Sequence, residues 1–151
     1  MTLPRLLVIG AGNEFRRDDA AGLAAARRLA SEAAIDVREA RGDLSGLADL
    51  WEGRSRVVIV DAARSGAAAG TVHRFDASAE PLPAAFSRGS THALGVAEAV
   101  ELARVLGALP SELVVYGIEG ADFAAGEGMT DPVTAAVEQV ASRIVEEALR
   151  A

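Results

Sequence analysis

Short apolar runs separated by amphipathic stretches constrain this chain more than any other feature. Residues 57–60, Val-Val-Ile-Val, form a β-branched run that stops at Asp61. A run of this kind is buried on both faces, the signature of a parallel strand covered by helices on each side. Residues 5–9 and 113–118 carry the same signature, and 35–39 is a fourth candidate strand. The spacing predicts a helix over 20–34, with Leu23, Ala26, Ala30 and Ala33 on its apolar face, and a short helix over 44–51. Another runs over about 92–106 and is capped by Gly107. The last starts near Thr130, accepts Pro132 in its first turn, and buries Val133, Val137, Val140, Ile144 and Ala148. This alternation predicts an α/β fold, a three-layer α/β/α sandwich with a twisted, mostly parallel sheet. Residues 71–75 alternate and reach their neighbour without a helix, so one antiparallel strand is expected there. No repeat, linker or charge block divides residues 1–151, which read as a single domain.

The residues that are missing narrow the chemistry. There is no Cys, which removes thiolate nucleophiles, disulfides and Cys-based metal sites. All 15 basic residues are Arg, so neither a Schiff-base lysine nor a P-loop lysine exists. His occurs only at 73 and 92, too few for a three-His metal site in one chain. The 22 acidic residues give a net charge of -7 and a pI near 4.8, which disfavours nucleic acid and anionic membranes as partners. The apolar run at 6–9 is too short for a signal or membrane segment, so a cytoplasmic protein is expected. Its length supplies a sufficient core without a structural metal.

The segment Gly10-Ala11-Gly12-Asn13-Glu14-Phe15-Arg16-Arg17-Asp18-Asp19 joins the first strand to the first helix. A Gly-x-Gly after a strand suggests a dinucleotide site, but Phe15 occupies the position of the third glycine. Asp18 and Asp19 also stand at the positive end of the helix, where a pyrophosphate would have to bind. They repel an anion and favour a cation. Helix capping is the alternative role, and it accounts for one of the two more readily than for both.

Asp61 closes a predicted strand, and ligands of open α/β sheets bind at the carboxyl ends of strands. A turn-forming role, or pairing with Arg64, is the competing reading. His92 follows Gly89-Ser90-Thr91 and opens a helix, as a ligand or as an exposed first-turn residue. His73 reads as structural. Ser45 lacks the Gly-x-Ser-x-Gly context of a nucleophile elbow, and Ser90 lacks a strand–turn–helix setting, which disfavours a serine hydrolase. Asp19, Asp61 and His92 therefore form the candidate site, a donor set suited to nickel or zinc.

The sequence resembles the hydrogenase maturation proteases, which clip a C-terminal extension from the large subunit of nickel-containing hydrogenases. The matching blocks are Gly10-x-Gly12-Asn13 with Arg16 and Asp18-Asp19, then Val58-Ile59-Val60-Asp61-Ala62, then Ser90-Thr91-His92-x-Leu94-Gly95. Tyr116-Gly117-Ile118-Glu119 and Gly128-Met129-Thr130 follow in family order. The resemblance implies metal ligation by Asp19, Asp61 and His92, with Asp19 or Asp61 (or Asp18) as the catalytic carboxylate. It implies substrate contacts at Gly12, Asn13 and Gly42. Nickel is expected to arrive with the hydrogenase large-subunit precursor, zinc or cadmium being able to substitute, and a monomer is favoured. Alternatives are a non-cleaving nickel-checking or chaperone-like module and a generic zinc-dependent hydrolase. The chain departs from the family at Ala40-Arg41-Gly42, where Asp-Gly-Gly is common, at Gly120, where Pro is common, and at Ala20, where Gly is frequent.

Pre-treating the protein alone with a thiol alkylator or a serine-directed reagent should leave its activity intact. Inactivation by either reagent would contradict a site built from carboxylates and imidazole.

Overall fold

The computed structural model describes residues 5–83, 86 and 95–150. Five strands form one sheet: β1 (Leu6–Ala11), β2 (Ile35–Ala40), β3 (Arg56–Ala63), β4 (Val72–Asp76) and β5 (Glu112–Glu119), in the spatial order β2-β1-β3-β5-β4. β1, β2, β3 and β5 are parallel, and β4 runs antiparallel along β5. The helices are α1 (Ala21–Arg28), α2 (Leu47–Leu50), α3 (Val96–Val105) and α4 (Asp131–Ala148), with a 3-10 turn at Arg17–Ala20 before α1. No helix among the described residues is long and apolar enough to cross a membrane.

The period of two in the strands assigns the layers. Leu7, Ile9, Val57, Ile59, Leu113 and Val115 face α2 and α3. Leu6, Val8, Val58, Val60, Tyr116 and Ile118 face α1 and α4. Both faces are dry, which explains the unbroken apolar runs. The α4 stripe, Val133, Val137, Val140, Ile144 and Ala148, is buried as its spacing predicts. At the base of the sheet the buried Tyr116 hydroxyl donates to Glu147 Oε1 at 2.7 Å. Arg74 Nε donates to the same oxygen at 2.8 Å, tying β4, β5 and α4 together.

Close backbone approach sets the position of α1. A Cβ at Gly22 would lie 2.2 Å from the Val60 carbonyl oxygen and 2.3 Å from that of Ala11. A Cβ at Gly10 would lie 2.3 Å from the Gly22 carbonyl oxygen. Only hydrogen fits at either position, so the helix rests directly on β1 and β3.

Several element boundaries differ from the sequence expectation. The first helix stops at Arg28, and Ala30 and Ala33 are exposed. The chain has to turn there so that Ile35 can pair with Leu6. The short helix spans only Leu47–Leu50, and α3 is described from Val96. β3 does not end at Asp61; Ala62 and Ala63 continue its pairing with β5. The predicted antiparallel strand is present, shifted by one residue.

Gly22→Ala should lower the unfolding free energy by about 3 kcal/mol, because the added methyl displaces two backbone carbonyls. Urea unfolding measures this, and a near-neutral result would contradict the tight seating of α1.

Candidate active site

β1 connects to β2 on one side, while β3 lies on its other side. The carboxyl ends of β1 and β3 therefore flank a topological switch point, where neighbouring loops diverge and leave a crevice. The loop leaving β1 folds back onto its own origin. Gly12 has φ +146°, and a Cβ there would lie 2.0 Å from the Asp19 carbonyl oxygen. The Asn13 amide donates to that oxygen at 3.1 Å, and the Gly12 amide donates to the Ala40 carbonyl at 3.1 Å. Asp19 is thereby set beside the end of β1.

Gly10 pairs with Val60, so the next residue of β3, Asp61, stands beside the last residue of β1. Asp61 is 7% exposed, and its Oδ1 accepts the Ala62 amide at 2.9 Å. It belongs to a continuous strand and does not form a turn. Arg64, its alternative partner, lies over the Phe123 ring at 3.8 Å. Asp19 and Asp61 thus lie at the same end of the sheet, beside the carboxyl ends of β1 and β3. His92 lies outside the described residues, and among those described no three acidic or imidazole groups are placed to hold a metal ion.

Asp18 has a different part. It is fully buried and caps neither the 3-10 turn nor α1. Its Oδ2 accepts the Ala121 and Asp122 amides at 2.9 and 3.0 Å, and its Oδ1 accepts the Thr130 amide at 2.7 Å. The Thr130 hydroxyl, at 3.1 and 3.0 Å from the two oxygens, completes the set. Burial pushes its pKa up, but the amide bonds from Ala121, Thr130 and Asp122 outweigh it and hold the carboxyl below its ordinary value. With its oxygens committed to these donors, Asp18 fastens the loop instead of activating water. The stitching continues along the backbone: Gly126 donates to Phe15 at 2.8 Å, Arg17 to Gly126 at 3.1 Å and Asp18 to Asp122 at 2.9 Å.

Glu119, at the end of β5, is 2% exposed. It accepts the Ser65 hydroxyl at 2.6 Å, the Ser65 amide at 2.9 Å, the Gly66 amide at 3.3 Å, and faces His73 Nε2 at 3.1 Å. Burial raises its pKa, but the hydrogen bonds from the Ser65 hydroxyl and amide, His73 and the Gly66 amide together outweigh it, for a net downward shift. The carboxylate lies between Ser65 and His73, so these three cannot act as a nucleophile–base relay. They brace the β3–β4 loop, and His73 is structural as its sequence setting suggests.

Gly42 is exposed with φ +69°, at the same end of the sheet, and Asn13 Oδ1 accepts the Phe15 amide at 2.9 Å. Beside them Arg27 and Arg41 each contact both Glu14 and Glu39, at 2.7 to 3.2 Å, in a closed ring. Neither this ring nor the partners of Asp18 was foreseeable. Asp18 bonds to residues more than a hundred positions away, and a charged surface pair has no sequence period.

The sheet order defines a doubly wound α/β protein with Asp19 and Asp61 beside its switch point. A sequence model described as hydrogenase maturation protease matches residues 32–147. No curated protein matches the sequence. The structure is similar to the hydrogenase maturating endopeptidase HybD from E. coli, with a TM-score of 0.79 and 25% identity, over 95% of this chain and 91% of that one. It is also similar to the [NiFe] hydrogenase maturation protease HybD from Thermococcus kodakarensis, with a TM-score of 0.72 and 28% identity, over 95% and 99% of the two chains. The chain belongs to the hydrogenase maturation protease family and is a peptidase.

The depressed pKa of Glu119 has a consequence for stability. An unfolded Glu titrates near about 4.3, so the stabilisation is complete above that pH and is lost as the pH falls through the lower native value. Thermal midpoints measured from about pH 5 down to about pH 3 should fall less steeply for Glu119→Gln than for the unaltered protein. Equal slopes would contradict an ionised Glu119 hub.

Proposed function

We propose that this peptidase removes the C-terminal extension of a nickel-loaded hydrogenase large-subunit precursor, completing its maturation. What supports the reading above all is that Asp19, beside the end of β1, and Asp61, on the neighbouring β3, lie at the same end of the sheet in a chain that belongs to this family. Two carboxylates and the imidazole of His92 are donors suited to a borderline divalent ion with open positions, and nickel fits that description. The nickel is cargo of the precursor, and zinc or cadmium can take its place in vitro. Ligation by Asp19, Asp61 and His92 holds one peptide bond in register with the crevice, which supplies much of the rate advantage.

Water then adds to the carbonyl carbon, and the Asp19 or Asp61 carboxylate accepts its proton. The C–N bond breaks, the amine leaves with a proton, and the new carboxylate remains on the large subunit. Asn13 and Gly42, with Gly12 beneath them, border the crevice on the β1–β2 side and receive the extended peptide. The partner is the precursor, met in the cytoplasm by a monomer, with no role for nucleic acid or membrane.

Purified protein incubated with nickel-loaded precursor should yield a shortened large subunit and a free C-terminal peptide, both read by mass. A non-cleaving module would leave the precursor intact, and a generic zinc hydrolase would cut nickel-free precursor equally well. Asp19→Ala, Asp61→Ala and His92→Ala should each nearly abolish processing, and a second loss should add little, because ligands of one ion act as a unit. Normal processing by folded His92→Ala, or losses that multiply as independent sites do, would sink this assignment.

A further inference from the structure

Phe15 is 59% exposed in a loop whose backbone is held on all sides. Its amide donates to Asn13 Oδ1 at 2.9 Å, and its carbonyl accepts the Gly126 amide at 2.8 Å. Arg16 donates to the Asn13 carbonyl at 3.2 Å, and Arg17 takes a left-handed backbone conformation, φ +44°, unusual for a non-glycine residue. Asp18 locks the next residue. A large aromatic ring is therefore displayed to water from a rigid, strained turn, four residues from Asp19. Strain of this kind persists only where surrounding structure enforces it, and it concentrates at ligand-binding sites.

The other large exposed apolar residues, Leu102, Val105, Leu106 and Leu149, belong to the C-terminal ends of α3 and α4. These helices return antiparallel to the strands, so those residues lie at the end of the sheet away from the crevice. Phe15 alone among the large exposed apolar residues described borders the site. Beside it, Arg16 is exposed and forms no ion pair among the described residues, in a protein of net charge -7.

We infer that Phe15 and Arg16 form the docking tip for the precursor. They grip a peptide segment that carries an apolar side chain next to an acidic group, and deliver the adjoining chain into the crevice. The inference rests on the protease reading above and adds the recognition element to it. A rigid ring loses little conformational freedom on binding, which is what makes aromatic residues effective anchors. Arg16 contributes by charge, so its share is sensitive to salt while that of Phe15 is not.

The test measures the dissociation constant of nickel-loaded precursor by calorimetry, together with KM, kcat and thermal midpoint, for Phe15→Ala, Phe15→Leu, Arg16→Gln and the matched control Val105→Ala. Phe15→Ala should weaken binding and raise KM about tenfold, with kcat at saturation and the thermal midpoint nearly unchanged. Phe15→Leu should recover most of the loss, and Val105→Ala should behave as the unaltered protein. Arg16→Gln should weaken binding about threefold at low salt and flatten its salt dependence. Unchanged precursor affinity in Phe15→Ala, or an equal loss in Val105→Ala, overturns the docking tip while leaving the protease reading standing. If the unaltered protein binds the precursor without shortening it, the protease reading fails and the dissociation constants still decide the role of Phe15. If the unaltered protein does not bind the precursor, both fail.

Discussion

The buried carboxylate of Asp18 is satisfied by backbone amides and one hydroxyl rather than by a cation, and the functional end of the molecule depends on it. A charge removed from water is costly unless strong donors replace its hydration. Here the donors come from the loop after β5 and from the residue that opens α4. Three separate parts of the chain thus become one unit. Asp19 follows directly, held on its other side by the amide of Asn13, so its backbone is fixed before any ligand arrives. The loop that carries Asp19 is thus held in place by hydrogen bonds at both ends.

Sheet topology places the second carboxylate. Because β3 pairs with β1 in parallel, the end of one strand delivers Asp61 beside the loop that starts from the other. Gly10 and Gly22 make this possible by bringing α1 down onto the strand ends. The opposite end of the sheet also has a cavity, of about 500 Å³, lined by Arg56, Arg74, Glu112 and Glu147 among others. Four of its charges pair, Arg56 with Glu112 at 3.2 Å and Arg74 with Glu147 at 2.8 Å, and these pairs link β3, β4, β5 and α4 at the base of the fold.

Much of this architecture was legible in the sequence, because buried parallel strands and amphipathic helices each leave a period. The runs at 57–60 and 113–118 and the α4 stripe point directly to β3, β5 and α4, and the antiparallel strand follows from a missing crossover helix. The extent of α1 was not legible: Ala30 and Ala33 fit a helical face, yet the chain turns away to begin β2. Of the candidate site, Asp61 was legible as a carboxylate near the end of an apolar run and Asp19 as one at the entry to the first helix. The division of labour between Asp18 and Asp19 was hidden, since neighbours in sequence differ only in which distant amides they meet. Glu119 was visible only as part of a motif, and its hold on Ser65 and His73 needed the pairing of β4 with β5.

The proposed activity requires that Asp19 and Asp61 share one ion at the carboxyl ends of β1 and β3. Crystals of the protein soaked in cadmium, measured for anomalous scattering, locate such an ion directly. A single strong peak between these two carboxylates is the predicted result, lost in Asp61→Asn crystals. Cadmium bound only elsewhere, such as at Glu112 and Glu147 beside the basal cavity, would contradict the account.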